Sequence, residues 1–240
     1  MNKLSFLAYP LFFFALSGLF GFEWPITAIF YPANAEALGS SQWYAKEINN
    51  LTTQKDHIDP HLLRLGLNAY VKARHQGLDS KEVLTVIDYS KPSSEKRLWV
   101  FDIKHMRTLF HTWVSHGKNS GAAIAQSFSN SPGSLKSSLG VFLTDSDPYI
   151  GNHGYSLRLN GLEPGINDNA YRRDIVIHGA WYVNEDIVKH YGAVGRSFGC
   201  PAVSSELSQP LINTIKQRTL VFAYYPDSHW LSHSNFVNNA

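Results

Sequence analysis

Ile175-Val176-Ile177-His178-Gly179-Ala180, followed after a long loop by Gly195-Arg196-Ser197-Phe198-Gly199-Cys200, is the stretch on which the reading of this chain turns. A β-branched run that ends in histidine predicts a buried strand, with an imidazole held by fixed backbone at its end. Gly179 is expected to let the chain turn sharply after it. Cys200 is expected on a turn just ahead of a helical region. Small residues on its amino side would let a carbonyl group come close to backbone N–H groups.

Working outward, short runs rich in Val, Ile, Phe and Trp recur at residues 83–89, 98–103, 108–115, 139–144, 155–159 and 220–225. Loops dense in Gly, Ser and Asn separate them, which predicts a strand-rich domain beginning as an antiparallel meander. One helix interrupts it, at 205–218, where Leu207, Leu211 and Ile215 repeat every four residues. Upstream, residues 36–77 read as helical: Asp59 and Pro60 form a cap and first-turn proline, Leu63, Leu67 and Tyr70 share one stripe, and Gly77 stands at the C-terminal cap position. One or two helices bury too little surface to stand alone, so residues 36–81 are expected as an N-terminal appendage docked on a domain at 82–226. Residues 227–240 read as a loose polar tail.

Composition narrows the function classes. The chain is 44% hydrophobic and 17% charged with a formal charge of +2, and its cations are scattered, so no nucleic-acid partner is expected. At the amino terminus Lys3 precedes an apolar run from Leu4 to Phe22, and Ala33-Asn34-Ala35 offers a small-residue cleavage site before Glu36. Residues 1–35 are therefore expected as a signal peptide. Left uncleaved, the same run would be a membrane tether. Either way the remainder is expected to be exported, to the periplasm or cell envelope. Outside the cytoplasm cysteines normally pair, yet this chain has one. A lone exported Cys is a buried thiol, half of an intermolecular bridge, or a thiol kept for chemistry. Eleven histidines are present without His-Glu-x-x-His or similar ligand spacing, so no metal is expected.

A thiol becomes a useful nucleophile as its thiolate, and an imidazole within hydrogen-bond reach can take the proton and return it to a leaving amine. His178 and Cys200 are the candidate pair. The oxyanion of a tetrahedral intermediate needs donors as well. Pro201 has no N–H, which leaves the backbone N–H groups of Cys200 and Gly199, with Tyr155 as a side-chain candidate.

The pairing of His178-Gly179 with Ser197-Phe198-Gly199-Cys200 resembles the His-Gly and Ser-x-Gly-Cys signature of the L,D-transpeptidase catalytic domain family, with its YkuD-like fold. The stretches 114–121, 128–130, 138–140, 153–157, 177–180 and 195–203 are similar, in order, to its murein L,D-transpeptidase branch. The resemblance runs from about Leu98 to Tyr225 and implies a β-rich catalytic domain with a deep cleft, Cys200 as nucleophile and His178 as base. It implies peptidoglycan peptide stems as the partner and no metal or organic cofactor. The thiolate would attack the amide after the L-centre of diaminopimelate, expel D-alanine, and pass the acyl group to a neighbouring diaminopimelate amine as a 3–3 crosslink. Water as acceptor would give an L,D-carboxypeptidase. A non-catalytic wall-binding module is the alternative from another class.

Many relatives place Arg two residues after the Cys, where this chain has Ala202, so a cation is expected from Arg196, Arg172 or Arg173. Ser197 is expected to orient His178, with a turn-forming hydroxyl as the other reading. His153, Arg196, Gly179 and Tyr155 are expected to line the substrate cleft. His116 is a further candidate there.

Overall fold

The structure, a computed structural model, describes residues 37–238, so the expected signal peptide lies outside the described residues. Two helices come first. α1 (Ser41–Thr52) starts where the Ser40 hydroxyl accepts from the Trp43 N–H at 3.1 Å. α2 (Pro60–His75) starts where Asp59 accepts from the Leu62 N–H at 2.8 Å, with Pro60 supplying the helical φ at a position needing no donor. The stripe of α2 buries Leu62, Leu63, Leu67, Tyr70 and Val71, and each fully buried Leu contributes about 1.5–3 kcal/mol.

Among the described residues nine strands form one sheet: β1 (Val83–Asp88), β2 (Leu98–Asp102), β3 (Arg107–Thr112), β4 (Gly140–Thr144), β5 (Tyr149–Gly151), β6 (Gly154–Gly161), β7 (Val176–Ala180), β8 (Ala202–Ser204) and β9 (Leu220–Tyr224). The order is β3-β2-β1-β9-β4-β6-β7-β8, with β5 on β6. The expected mostly β fold is what the chain adopts. Its first three strands are the antiparallel meander, but β1 then pairs β9 in parallel, as β7 pairs β8. Gly66 lets α2 lie close on this central pair: a Cβ there would stand 3.2 Å from Val86 and 3.4 Å from Phe222.

Three more helices are α3 (Glu185–Tyr191), α4 (Ser205–Ile215) and α5 (Ser228–His233). The loose tail expected after residue 226 is instead a packed segment. Trp230 of α5 is 1% exposed, its ring lies 5.7 Å from Phe222, and Phe236 and Val237 are buried beside it. Aromatic area outweighs the polar residues around it. The indole N–H donates to the buried Glu163 carboxylate, which also accepts from the Val141 N–H at 2.7 Å and from the Ser234 hydroxyl. Burial raises the pKa of this carboxyl, and the three donors partly offset the shift. Glu163→Ala strands those donors in the core and is expected to cost about 2–4 kcal/mol in urea unfolding. A loss below about 0.5 kcal/mol would show that the cluster contributes no net stability.

Candidate active site

Cys200 is held between two neighbours. On one side the parallel register pairs His178 with Ala202, and two residues earlier the Val176 N–H donates to the Cys200 sulfur at 3.5 Å. The thiol in turn donates to the Asp174 carbonyl at 3.5 Å. On the other side residues 115–118 run along the loop: Ser197 N–H donates to His116 O at 2.9 Å, Lys118 N–H to Ser197 O at 2.8 Å, and Ser115 N–H to Ala202 O at 2.9 Å.

Inside the loop, the Ser197 hydroxyl donates to the Cys200 carbonyl at 2.6 Å and accepts the Gly199 N–H at 3.1 Å. Ser137 Oγ donates to the Gly199 carbonyl at 3.2 Å. These bonds correct two expectations. The Gly199 N–H is engaged by Ser197 and is not a free oxyanion donor, whereas the Cys200 N–H has no partner among the described residues. Ser197 fixes the loop and does not orient His178.

The imidazole is oriented by its own neighbour. His178 Nδ1 lies 2.9 Å from the Gly179 carbonyl; only a protonated Nδ1 makes that bond, so Nε2 is left as the acceptor. Burial holds His178 below the ordinary histidine pKa, the Gly179 carbonyl works against the shift, and His153 adds to it. Burial pushes the Cys200 thiol up, partly countered by the Val176 N–H and the charge of Arg173. Thiol and imidazole therefore rest as a neutral pair near pH 7. Both line one cavity of about 410 Å³, together with His153, Ala180, Trp181, Tyr182, Arg196 and Phe198.

Strand geometry sorts the remaining candidates. Ser156 pairs with His178 and shares its face, so Tyr155 points the other way, where its hydroxyl donates to Asn213 of α4 at 2.8 Å. Tyr155 thus lies outside the cavity, against expectation. Gly179 also serves the α4 side. A Cβ there would sit 2.7 Å from Ser208 Oγ, so the glycine is a close-packing residue within β7, and the turn comes just after the strand, where the Val183 N–H donates to the Ala180 carbonyl at 3.2 Å. His153 stacks on His178, ring centroids 4.4 Å apart and planes 23° apart. Arg196 lines the cavity while its guanidinium donates to the Lys118 and Gly121 carbonyls at 3.2 and 3.1 Å. His116 is fully buried elsewhere: it accepts from Arg97 at 2.8 Å, and burial with that guanidinium lowers its pKa to about 4.

Of the three candidate cations, Arg173 is the one whose charge acts on the thiol. It donates to Ser129 O, Ser138 Oγ, Ser134 Oγ and Lys136 O, all neutral, so its charge is not cancelled by a carboxylate there. Arg172 is exposed. The aromatic wall of Trp181, Tyr182 and Phe198 escaped the sequence reading, although Trp181 and Tyr182 directly follow His178-Gly179-Ala180.

Gly199 adopts φ +130°, and a Cβ there would lie 2.9 Å from the Lys136 carbonyl. Gly199→Ala combines that clash with backbone strain of about 1–3 kcal/mol, and if the loop shifts to relieve it, thiol acylation is expected to slow about 10- to 100-fold. Acylation kinetics beside a melting curve test this; an unchanged rate would mean that the loop tolerates displacement.

A thiol, a fixed imidazole and a free backbone N–H on a mostly β scaffold define a thiol–imidazole site of the kind suited to acyl transfer. Residues 54–224 match the L,D-transpeptidase catalytic domain family, and the chain belongs to that family. Among solved structures it is similar to an L,D-transpeptidase from Mycobacterium smegmatis, at 16% identity and TM-score 0.37 over 60% of this chain and 59% of that one. It is also similar to one from Stackebrandtia nassauensis, at 13% identity and TM-score 0.37 over 76% of each chain. A third is the catalytic domain of the E. faecium L,D-transpeptidase, at 15% identity and TM-score 0.33 over 60% of this chain and 98% of that one. The chain thus spans about three fifths of the length of the first of these. No curated protein sequence matches it.

Proposed function

We propose that this chain is a cysteine acyltransferase acting on peptidoglycan peptide stems, an L,D-transpeptidase that forms 3–3 crosslinks through a thioester on Cys200. The observation that carries the reading is the placement of Cys200 and His178 in one cavity, with the His178 tautomer fixed so that Nε2 is the basic nitrogen. In the first step Nε2 takes the thiol proton as sulfur attacks the stem carbonyl, and the Cys200 N–H donates to the oxyanion. The C–N bond then breaks and His178 returns the proton to the leaving D-amino acid. A stem amine attacks the thioester, sulfur leaves, and the new amide is the crosslink. Ser197, Ser137 and Gly199 hold the loop for these steps, and Arg173 favours the thiolate as it forms. The exported location follows from the amino-terminal segment of the sequence.

Incubation with a disaccharide tetrapeptide, followed by mass spectrometry, tests the reading. Crosslinked dimer is the expected product. Tripeptide alone would convert the assignment to an L,D-carboxypeptidase on the same site. Absence of both would leave a wall-binding module. Activity abolished by a chelator would overturn the thiol mechanism.

A further inference from the structure

His153 sits at the tip of the β5–β6 hairpin, where Gly154 takes φ +73°. Its side chain is exposed, neither ring nitrogen has a hydrogen-bond partner among the described residues, and it is positioned by its stack on His178. The two imidazoles therefore differ in access. His178 is 3% exposed and has one nitrogen committed to Gly179, while His153 stands at the cavity mouth with both nitrogens open. The other titratable or charged side chains lining the cavity are Cys200, Tyr182 and Arg196. Arg196 is a permanent cation, and Tyr182 is half-buried with its phenol pKa raised by burial. His153 is thus the exposed imidazole of the cavity lining, with both ring nitrogens uncommitted among the described residues.

The second half of the proposed reaction needs such a group. With an ordinary pKa near 10.4 for a primary alkylamine, on the order of 1 in 1,000 or fewer acceptor molecules arrive at pH 7 as free amine. The ammonium proton must leave before nitrogen can attack. Resting on the transpeptidase reading above, we propose that His153 is a second catalytic base, specific to the acceptor step: it strips the incoming ammonium and so favours amine over water as the acceptor. The ammonium proton passes to a ring nitrogen of His153 and on to solvent. The freed amine attacks the thioester carbonyl, the C–N bond forms and the C–S bond breaks. The remaining excess proton on nitrogen goes through His178 Nε2 to the departing sulfur, which regenerates the neutral thiol.

The test separates acylation from acceptor choice, using the full chain as wild type, His153→Phe and His153→Gln with a disaccharide tetrapeptide as donor and acceptor. Phe keeps a stacking ring without a titrating nitrogen, and Gln keeps polarity without a proton-accepting site near pH 7. Crosslinked dimer relative to tripeptide is expected to fall about 10- to 100-fold at pH 7, in the range of a lost general base, and by more than any loss of acyl-enzyme formation read by intact mass. That deficit is expected to close as pH is raised towards the amine pKa, where the acceptor ionises unaided. An unchanged product ratio would overturn the role. So would acylation falling in step with crosslinking, which would reduce His153 to a support for His178, or a deficit that high pH leaves in place. A wild type that acylates but yields only tripeptide would remove the acceptor step and the proposal with it. A wild type that never acylates would instead defeat the transpeptidase reading itself.

Discussion

Cys200→Ser is expected to lose acyl transfer by about 10⁴-fold or more while leaving the fold intact. The hydroxyl can keep the local bonds, accepting from Val176 N–H and donating to the Asp174 carbonyl, so stability should change little. What it cannot do is ionise at this site. Burial already pushes the thiol above its ordinary pKa, and a much weaker acid would face the same desolvation with only a burial-weakened imidazole as base. Intact-mass analysis with a carbapenem, whose strained amide acylates thiols, reads the result directly. An adduct on the wild type and none on the serine variant is expected. An adduct surviving on Cys200→Ser would move the nucleophile elsewhere.

The second large effect belongs to the base. His178→Gln is expected to reduce kcat/KM by about 10²- to 10⁴-fold, the usual worth of a positioned general base. The pH profile distinguishes this from simple misfolding. In the wild type, His178 must be neutral to accept the thiol proton, and burial holds its pKa below the ordinary histidine range. Activity should therefore persist at mildly acidic pH and fall only below that lowered value. In the glutamine variant the acid limb set by His178 should vanish. Residual activity should climb with pH as hydroxide produces thiolate, since no imidazole remains to do so. An acid limb unchanged by the substitution would assign it to another group.

Both effects depend on placement as much as on residue type, and the two sources of information divide accordingly. The sequence alone carried every described strand except the three-residue β5 and β8, because hydrophobic runs bounded by Gly, Ser and Asn are local patterns, and it carried the Asp59-Pro60 helix start for the same reason. It carried the Cys200–His178 candidates, because a single Cys and the ordered loop motifs are features of the string itself. Helix α3 was also written there, in Asn184, Glu185-Asp186, Lys189-His190 and Gly192. It went unread because the helix buries none of its residues and so shows no apolar stripe.

Only the tertiary structure decided what each neighbour of the thiol does. Tyr155 and His153 lie two residues apart, yet one bonds α4 and the other stacks on His178; strand pairing and the hairpin tip set which face each presents. Arg172 and Arg173 are adjacent and chemically identical, yet one is exposed while the other is enclosed by four neutral oxygens near Cys200. The same holds for Ser197 and Gly199, whose donors and acceptors are consumed within the loop, leaving the Cys200 N–H free. Residue type and local period are properties of the chain. Which donor is already satisfied, and which charge remains uncancelled, depends on contacts between segments distant in sequence, and those exist only once the sheet has closed around the site.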